Sequence, residues 1–433
     1  MKATHSKNPL SKILDSEFYR HVIVLFSGSA LAQAIPFLML PVLQKWFYSP
    51  AQFGVFSLFV SVTSILNSFV SLKYEFAIVG SKHKTEALNN TVATLGIATG
   101  FGILLVAAAA LTTKDLLQNH NLSALYVFRY WIVLSVFGFT AHRILTYYFN
   151  FEKKYGIISL SKVLQTGSAE GGKAAMGFYQ QLSGGLIYGR TLGQWISFLQ
   201  LAVLFISRNR LMLLSSLSIQ GMKKRIIKEK DFALYSTPGA LLGALSNNFH
   251  IILLASYFSD EIVGLVGTAF IYVAVPMSLI STSVSQVFFK KIHEIKSKKE
   301  LFRVYKSGVT KLTSAGLIIA FFIQLIPESL VELILDSTWV SSLLYLKIII
   351  WYLSISFVST SLSFIYIRLK KQKQMLFFDI IHLLLVYFGI VLGFKITGSP
   401  EGTLWFFTAA QAFYYLLAIF AAFYFIKKSK LLS

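Results

Sequence analysis

The sequence contains no cysteine and few charged residues. Without cysteine, disulfides, thiolate nucleophiles and cysteine metal ligands are excluded. Charged residues make up 13% of the 433 residues, about half of the roughly 25% that is typical of soluble domains. Hydrophobic residues account for 55% and aromatic residues for 15%. This composition indicates an integral membrane protein.

The sequence also lacks the usual signatures of catalysis and metal binding. Its eight histidines show no HxxxH or HExxH spacing, and no glycine-rich stretch leads into the Lys-Ser or Lys-Thr of a phosphate loop. Acidic residues in the loops occur as the pair Asp260-Glu261, as Glu328 with Glu332, and singly. Such loops offer little to hold a divalent cation. We therefore predict no catalytic residue, no metal and no cofactor, and a protein that is not an enzyme.

Long apolar segments fill most of the chain. We predict twelve membrane-spanning helices, at about 21–46, 53–79, 88–112, 124–150, 155–180, 182–206, 231–257, 263–289, 306–327, 340–367, 375–397 and 402–426. Each is long enough to cross roughly 30 Å of hydrocarbon as a helix. The predicted fold class is an all-α integral membrane protein with two six-helix bundles and a central cavity.

The loops between these segments alternate in charge. Most of the 40 Lys and Arg residues lie in the N-terminus, the C-terminal tail, and the loops 80–87, 151–154, 207–230, 290–305 and 368–374. The loops between them hold mainly acids, with Lys114 as the one base. By the positive-inside rule, this pattern predicts that both termini are cytoplasmic. It also attributes the net charge of +22 to membrane orientation, so we expect no nucleic-acid partner.

A weak internal repeat divides the chain into halves. FYSPAQFG at 47–54 aligns with YFSDEIVG at 257–264, and both lie in a short outer turn between the first and second helices of a half. An even number of helices separates the copies, so the halves run in the same direction. We predict an N-terminal bundle over 1–206, a basic cytoplasmic linker over 207–230 and a C-terminal bundle over 231–433.

The fifth and sixth segments carry charges that cannot face lipid. One helical face of the fifth segment holds a series of polar and small residues, which are Lys162, Thr166, Glu170, Lys173 and Gly177. The sixth segment places Arg190 at a similar depth. Charges at mid-membrane cost roughly 2.5–3.5 kcal/mol each and are tolerated inside a bundle or a water-filled cavity. We therefore predict a polar, net cationic interior. Alternatively, Glu170 pairs with a cation only to hold two helices together, and Lys162 snorkels to the interface.

Other polar residues inside the predicted spans are further candidates. The candidate substrate-binding residues are Arg190, Lys173, Lys162, Arg143 and Lys347, of which Arg143 and Lys347 could equally snorkel. The candidate coupling or cavity residues are Glu170, Asn67, Gln33, Asn247, Asn248 and His250. The neutral members suit a wet cleft, and hydrogen bonds between helices explain them nearly as well. His250 is either a core residue or a cavity donor.

Three stretches carry a resemblance to a known family. They are FSGSALAQAIPFLMLPVLQKWFYSPAQFGVFSLFVSV at 26–62, LKYEFAIV at 72–79 and GLVGTAFIYVAVPMSLISTSVSQVFFKK at 264–291. They resemble Wzx-type O-antigen and polysaccharide-unit flippases of the multidrug/oligosaccharidyl-lipid/polysaccharide exporter superfamily.

The resemblance implies a function in surface polysaccharide assembly. Such flippases move undecaprenyl-pyrophosphate-linked oligosaccharide from the cytoplasmic to the periplasmic leaflet of the bacterial inner membrane, by alternating access and with an ion gradient as driving force. The implied partners are this lipid-linked glycan, the bilayer and, as candidates, a polysaccharide polymerase and a chain-length regulator. The diphosphate would then meet Lys173 and Arg190, with Glu170 competing for these cations or carrying a proton.

Three other functions remain open on the sequence. A drug or cation antiporter of the same superfamily would favour an acidic cavity. A polymerase or sugar transferase would need a large outer loop or paired metal-binding acids. A scaffold for the assembly machinery would need no transport at all.

Overall fold

The computed structural model describes residues 17–118, 122–179 and 184–429. Within these ranges the chain forms twelve helices of 18 or more residues and no strand, as the all-α fold class predicts. They are α1 Glu17–Trp46, α2 Pro50–Asn67, α3 Lys84–Leu111, α4 Ser123–Phe151, α5 Tyr155–Phe178, α6 Gly185–Ser216, α7 Thr237–Tyr257, α8 Asp260–Glu294, α9 Lys298–Gln324, α10 Val340–Ser361, α11 Gln372–Thr397 and α12 Pro400–Lys428.

Most of these helices can cross a membrane. Ten of them, α2–α4 and α6–α12, are both long enough and apolar enough. Helix α5 has the length but not the apolarity, because it carries Lys162, Glu170 and Lys173. Large apolar side chains within the predicted spans, such as Ile103, Leu104 and Val203, are more than 60% exposed, as expected of surfaces that face lipid. The protein is a multi-pass membrane protein, and the count of twelve spans stays a prediction.

The predicted span 53–79 is wrong as one continuous helix. Helix α2 ends at Asn67, and a short helix, Glu75–Val79, follows after a turn. Leu72 and Lys73 in that turn have φ values of 48° and 59°. Residues in the left-handed region cannot continue a right-handed helix, so the segment is interrupted there.

The linker predicted over 207–230 is largely helical. Helix α6 continues to Ser216, and a short basic helix, Ile219–Lys228, follows it. The hydroxyl of Tyr74 donates to the carbonyl of Ile226 over 2.9 Å, and Arg225 forms an ion pair with Glu86. The linker helix is therefore fixed to the turn that follows α2 and to the first turn of α3.

The chain divides into two compact units. Unit 1 comprises Met1–Leu43, Leu66–Thr113 and Val127–Pro238, and unit 2 comprises Gln44–Ile65, Lys114–Tyr126 and Gly239–Ser433. In unit 1, Ile144, Tyr148 and Phe149 of α4 are fully buried in an apolar core. In unit 2, Leu301, Ile365 and Ile426 are fully buried in a second core. These units cross the predicted domain boundaries because most of α2 belongs to unit 2.

The two turns that the sequence repeat aligns are in contact within unit 2. A Cβ atom on Gly54 of α2 would overlap the carbonyl oxygen of Asp260, and one on Gly264 of α8 would overlap the carbonyl oxygen of Pro50. The contact is reciprocal: each glycine of the repeat meets the first residue of the other helix. Only glycine allows two backbones to approach this closely.

Candidate functional site

The hairpin of α5 and α6 in unit 1 is closely packed through glycine. A Cβ atom on Gly189 would lie 2.5 Å from the amide nitrogen of Lys173, and one on Gly193 would overlap the carbonyl oxygen of Gln165. Small residues at a helix interface let the backbones approach each other. The glycines therefore bring Arg190, which directly follows Gly189, beside the charged face of α5.

Two oppositely charged residues form a buried ion pair on that face. The Nζ of Lys173 donates to the Oε1 of Glu170 over 2.6 Å. Their side chains are only 10% and 5% exposed, respectively. Both residues belong to α5, three positions apart, so their pair does not itself tie α5 to α6.

Arg190 adds a positive charge that the ion pair does not neutralise. Its charge acts on both Glu170 and Lys173. Its Nε is buried and has no hydrogen-bond partner among the residues that the structure describes. Glu170 is already bonded to Lys173, so the three side chains form a cluster with one excess positive charge. The guanidinium of Arg190, which is half-buried, can donate hydrogen bonds to an anionic oxygen of a ligand.

The same face continues toward Lys162. Lys162 and Thr166 are half-buried, and Glu170, Lys173 and Gly177 are buried. The face that the helical spacing predicts is therefore turned partly or wholly inward.

A histidine that we did not select from the sequence lies beside this face. The Nε2 of His142 on α4 is 2.7 Å from the Oγ of Ser161 on α5, and both residues are buried. An ionisable residue inside a predicted span is by default a functional candidate. That signal was present in the sequence and could have identified His142.

Arg143 belongs to a separate cluster that closes the end of α2. Its Nε is 3.2 Å from the Oε1 of Glu75, and its Nη2 donates to the carbonyl of Asn67 and to the Oγ of Ser71. The side chain of Asn67 is buried and accepts a hydrogen bond from Thr140. Arg143 and Asn67 thus have protein partners within unit 1.

The remaining candidates do not gather at the hairpin. Gln33 is exposed on α1. In unit 2, Asn247 and Asn248 each donate to a carbonyl one turn earlier in α7. Lys347 is half-buried on α10. His250 and Asn247 line a cavity of about 400 Å³ inside unit 2, which we call the neutral cavity.

Solved structures similar to this chain include transporters. An inward-facing multidrug resistance MATE family transporter of the MOP superfamily has 16% sequence identity and a TM-score of 0.66, with 94% of this chain and 99% of that chain covered. The lipid II flippase MurJ, in an inward closed conformation, has 13% identity and a TM-score of 0.70, with 92% of this chain and 87% of that chain covered. At these identities the likeness establishes a shared fold.

The sequence itself also identifies a family. No curated protein matches the sequence. A family described as "Polysaccharide biosynthesis protein" matches residues 47–344, which is more than half of the chain. The chain therefore belongs to this polysaccharide biosynthesis protein family.

Proposed function

We propose that the protein is a flippase for undecaprenyl-pyrophosphate-linked oligosaccharide. It would move the repeat unit of O-antigen or another surface polysaccharide from the cytoplasmic to the periplasmic leaflet of the bacterial inner membrane, by alternating access and with an ion gradient as driving force. Both termini would be cytoplasmic. A polysaccharide polymerase and a chain-length regulator would be its partners in assembly.

The observation that carries this proposal is the charged hairpin. In unit 1, Lys173 is buried and Arg190 is half-buried, and one buried carboxylate, that of Glu170, pairs with Lys173 and acts electrostatically on Arg190. A diphosphate that leaves water for the membrane needs fixed cations to replace its hydration. The guanidinium of Arg190 suits this role because its planar fork can bind phosphate oxygens in a bidentate manner. The family description and the fold shared with a lipid flippase support the same substrate class.

The charge of Glu170 gives the site a means of release. When the carboxylate pairs with Lys173, it competes with a phosphate oxygen for that cation. Return of Lys173 from the phosphate to this carboxylate would favour release of the substrate. The excess positive charge argues against the export of organic cations, which the cluster would repel.

The proposal is tested by the amount of surface polysaccharide in a strain from which the gene is deleted. The strain is complemented with wild type, Arg190→Ala, Arg190→Lys or Glu170→Gln, with membrane levels matched by blot. We expect a loss of at least about tenfold with Arg190→Ala, because a charge-assisted hydrogen bond is worth about 1.5–3 kcal/mol. Arg190→Lys should retain part of the activity because the charge remains.

A matched control is available on the same helix. Arg208 also lies on α6 but is exposed. Arg208→Ala should leave polysaccharide production unchanged. Full polymer from Arg190→Ala and Glu170→Gln at normal protein levels would refute a transport role for the hairpin.

A further inference from the structure

The neutral cavity of unit 2 contrasts with the charged hairpin of unit 1. It has a volume of about 400 Å³ and is bounded by residues of α7, α8, α10, α11 and α12. None of the described residues that line it is Asp, Glu, Lys or Arg. Its volume lies within the roughly 300–1,000 Å³ of small-molecule sites. A cavity of this size inside one unit can hold part of a ligand.

Aromatic rings form part of its wall. The rings of Tyr352 and Tyr415 are nearly parallel, with centroids 6.5 Å apart and an interplanar angle of 7°. The ring of His250 stacks on Phe407 at 5.4 Å. Flat ring faces offer an apolar surface against which the C–H face of a sugar ring can pack.

Neutral hydrogen-bonding groups form another part of the cavity wall. The Oγ of Ser281 is 2.9 Å from the Oγ1 of Thr360 and 2.9 Å from the Oγ of Ser361. Hydroxyl groups both donate and accept hydrogen bonds, so they match the hydroxyls of a sugar without requiring charge.

One buried amide in the wall has an unused hydrogen-bonding group. Gln411 is only 2% exposed, and its Oε1 is 2.7 Å from the Nε2 of His382. Its Nε2 has no hydrogen-bond partner among the described residues. A buried amide group without a partner costs free energy of about 1–3 kcal/mol. A ligand oxygen in the cavity would remove that cost.

We infer that the neutral cavity binds uncharged sugar residues of the transported oligosaccharide, with Gln411 and His382 as a hydrogen-bonding pair. This inference rests on the proposed function. A diphosphate would find no cation in the cavity, and an organic cation would find no carboxylate. A lipid chain would leave the buried Nε2 of Gln411 without a partner. The neutral cavity thus provides sugar selectivity.

The test compares two lipids with purified protein in detergent. The probes are bare undecaprenyl diphosphate and undecaprenyl diphosphate carrying the oligosaccharide isolated from the producing strain, and Kd is measured by native mass spectrometry. Wild type should bind the oligosaccharide-bearing lipid about tenfold more tightly than the bare lipid, as one or two neutral hydrogen bonds allow.

The main variant removes both members of the hydrogen-bonding pair. His382→Phe with Gln411→Leu leaves no orphaned partner, and phenylalanine can keep the ring stack that His382 forms with Tyr414. This double variant should bring the preference for the oligosaccharide-bearing lipid below about twofold. Its Kd for the bare lipid should equal that of wild type.

Milder variants keep the test independent of folding. Thr360 is exposed and lines the cavity, so Thr360→Val should reduce the preference by about two- to fivefold without affecting the core. Ser354 is a buried serine on the same helix that does not line the cavity and is bonded to Gly316. Ser354→Ala should keep the full preference.

The outcomes separate this inference from the proposed function. No preference in wild type, or an unchanged preference in both cavity variants, would overturn the role of the neutral cavity. Stronger competition by a lipophilic cation than by the free oligosaccharide would also overturn it. Arg190→Ala should weaken binding of both lipids equally. If Arg190→Ala binds both normally while the double variant loses the preference, the diphosphate site is wrong and the sugar site stands.

Discussion

The ion pair between Arg143 and Glu75 tests whether Arg143 maintains the fold of unit 1 or binds substrate. The side chain of Glu75 is 1% exposed and that of Arg143 is 21% exposed. Arg143 has further partners in the carbonyl of Asn67 and the hydroxyl of Ser71. The other carboxylate oxygen of Glu75, its Oε2, has no hydrogen-bond partner among the described residues. Loss of Arg143 would therefore leave the Glu75 carboxylate unpaired, whereas loss of Glu75 would leave Arg143 with two other hydrogen-bond acceptors.

This inequality sets the expected magnitudes. Arg143→Gln leaves the buried carboxylate of Glu75 unpaired, which should reduce the free energy of unfolding by about 3 kcal/mol, the lower end of the range for a broken buried pair. Glu75→Gln leaves a partly exposed guanidinium with two other acceptors, so it should cost about 1 kcal/mol. The double variant should be more stable than Arg143→Gln alone, with a coupling of about 2–3 kcal/mol between the two changes, which exceeds the cost of Glu75→Gln by itself.

The assay is denaturant unfolding of the purified protein in detergent. Lys84→Gln is the matched control, because Lys84 pairs with Glu152 at 3.0 Å with 39% of its side chain exposed. Such an exposed pair contributes about 0–1 kcal/mol. A structural role of Arg143 is refuted if Arg143→Gln lowers the free energy of unfolding by no more than this control does. It is also refuted if adding Glu75→Gln to Arg143→Gln does not restore part of the lost stability. Loss of transport with unchanged stability would instead place Arg143 at the substrate.

Two further predictions concern close helix contacts. Gly264→Ala should lower the free energy of unfolding by about 1–3 kcal/mol through overpacking against α2. Gly243→Ala is the control and should not lower it, because a Cβ atom there would have nothing within 4 Å. Equal melting temperatures for the two variants would contradict the reciprocal contact. Gly193→Ala should separate α5 from α6 and reduce both stability and polysaccharide production. Gly167→Ala is the control and should leave both unchanged, because a Cβ atom there would also lie in open space. Normal polysaccharide production by Gly193→Ala would mean that transport does not require close packing of the hairpin.

Much of the membrane architecture could be predicted from hydrophobicity. Eleven of the twelve predicted spans each correspond to one long helix, with ends that differ by up to ten residues, and the span 53–79 is divided. The interruption after Asn67 was missed, because no proline or glycine marks it. Its cause is tertiary: Arg143, from a different helix, bonds the carbonyl freed at the end of α2. No pattern local to α2 contains that information.

Local sequence patterns also predicted part of the candidate site. Spacing along α5 was sufficient to place Glu170 beside Lys173, because residues three positions apart share a helical face. Depth in the membrane was sufficient to expect Arg190 near them. The partners of Arg143 and the unpaired amide of Gln411 depend on which helices are neighbours, and separation along the chain does not specify this.

The sequence by itself determined that this is a helical membrane protein with charges buried in one hairpin. These properties follow from local composition and helical periodicity, which can be read directly from the sequence. The tertiary structure alone decided that Arg143 closes the end of α2, that the repeated glycines Gly54 and Gly264 meet, and that neutral groups from five helices surround one cavity. Such juxtapositions arise from the packing of helices distant in sequence, because side-chain volumes and hydrogen-bond geometry act between helices and not along them.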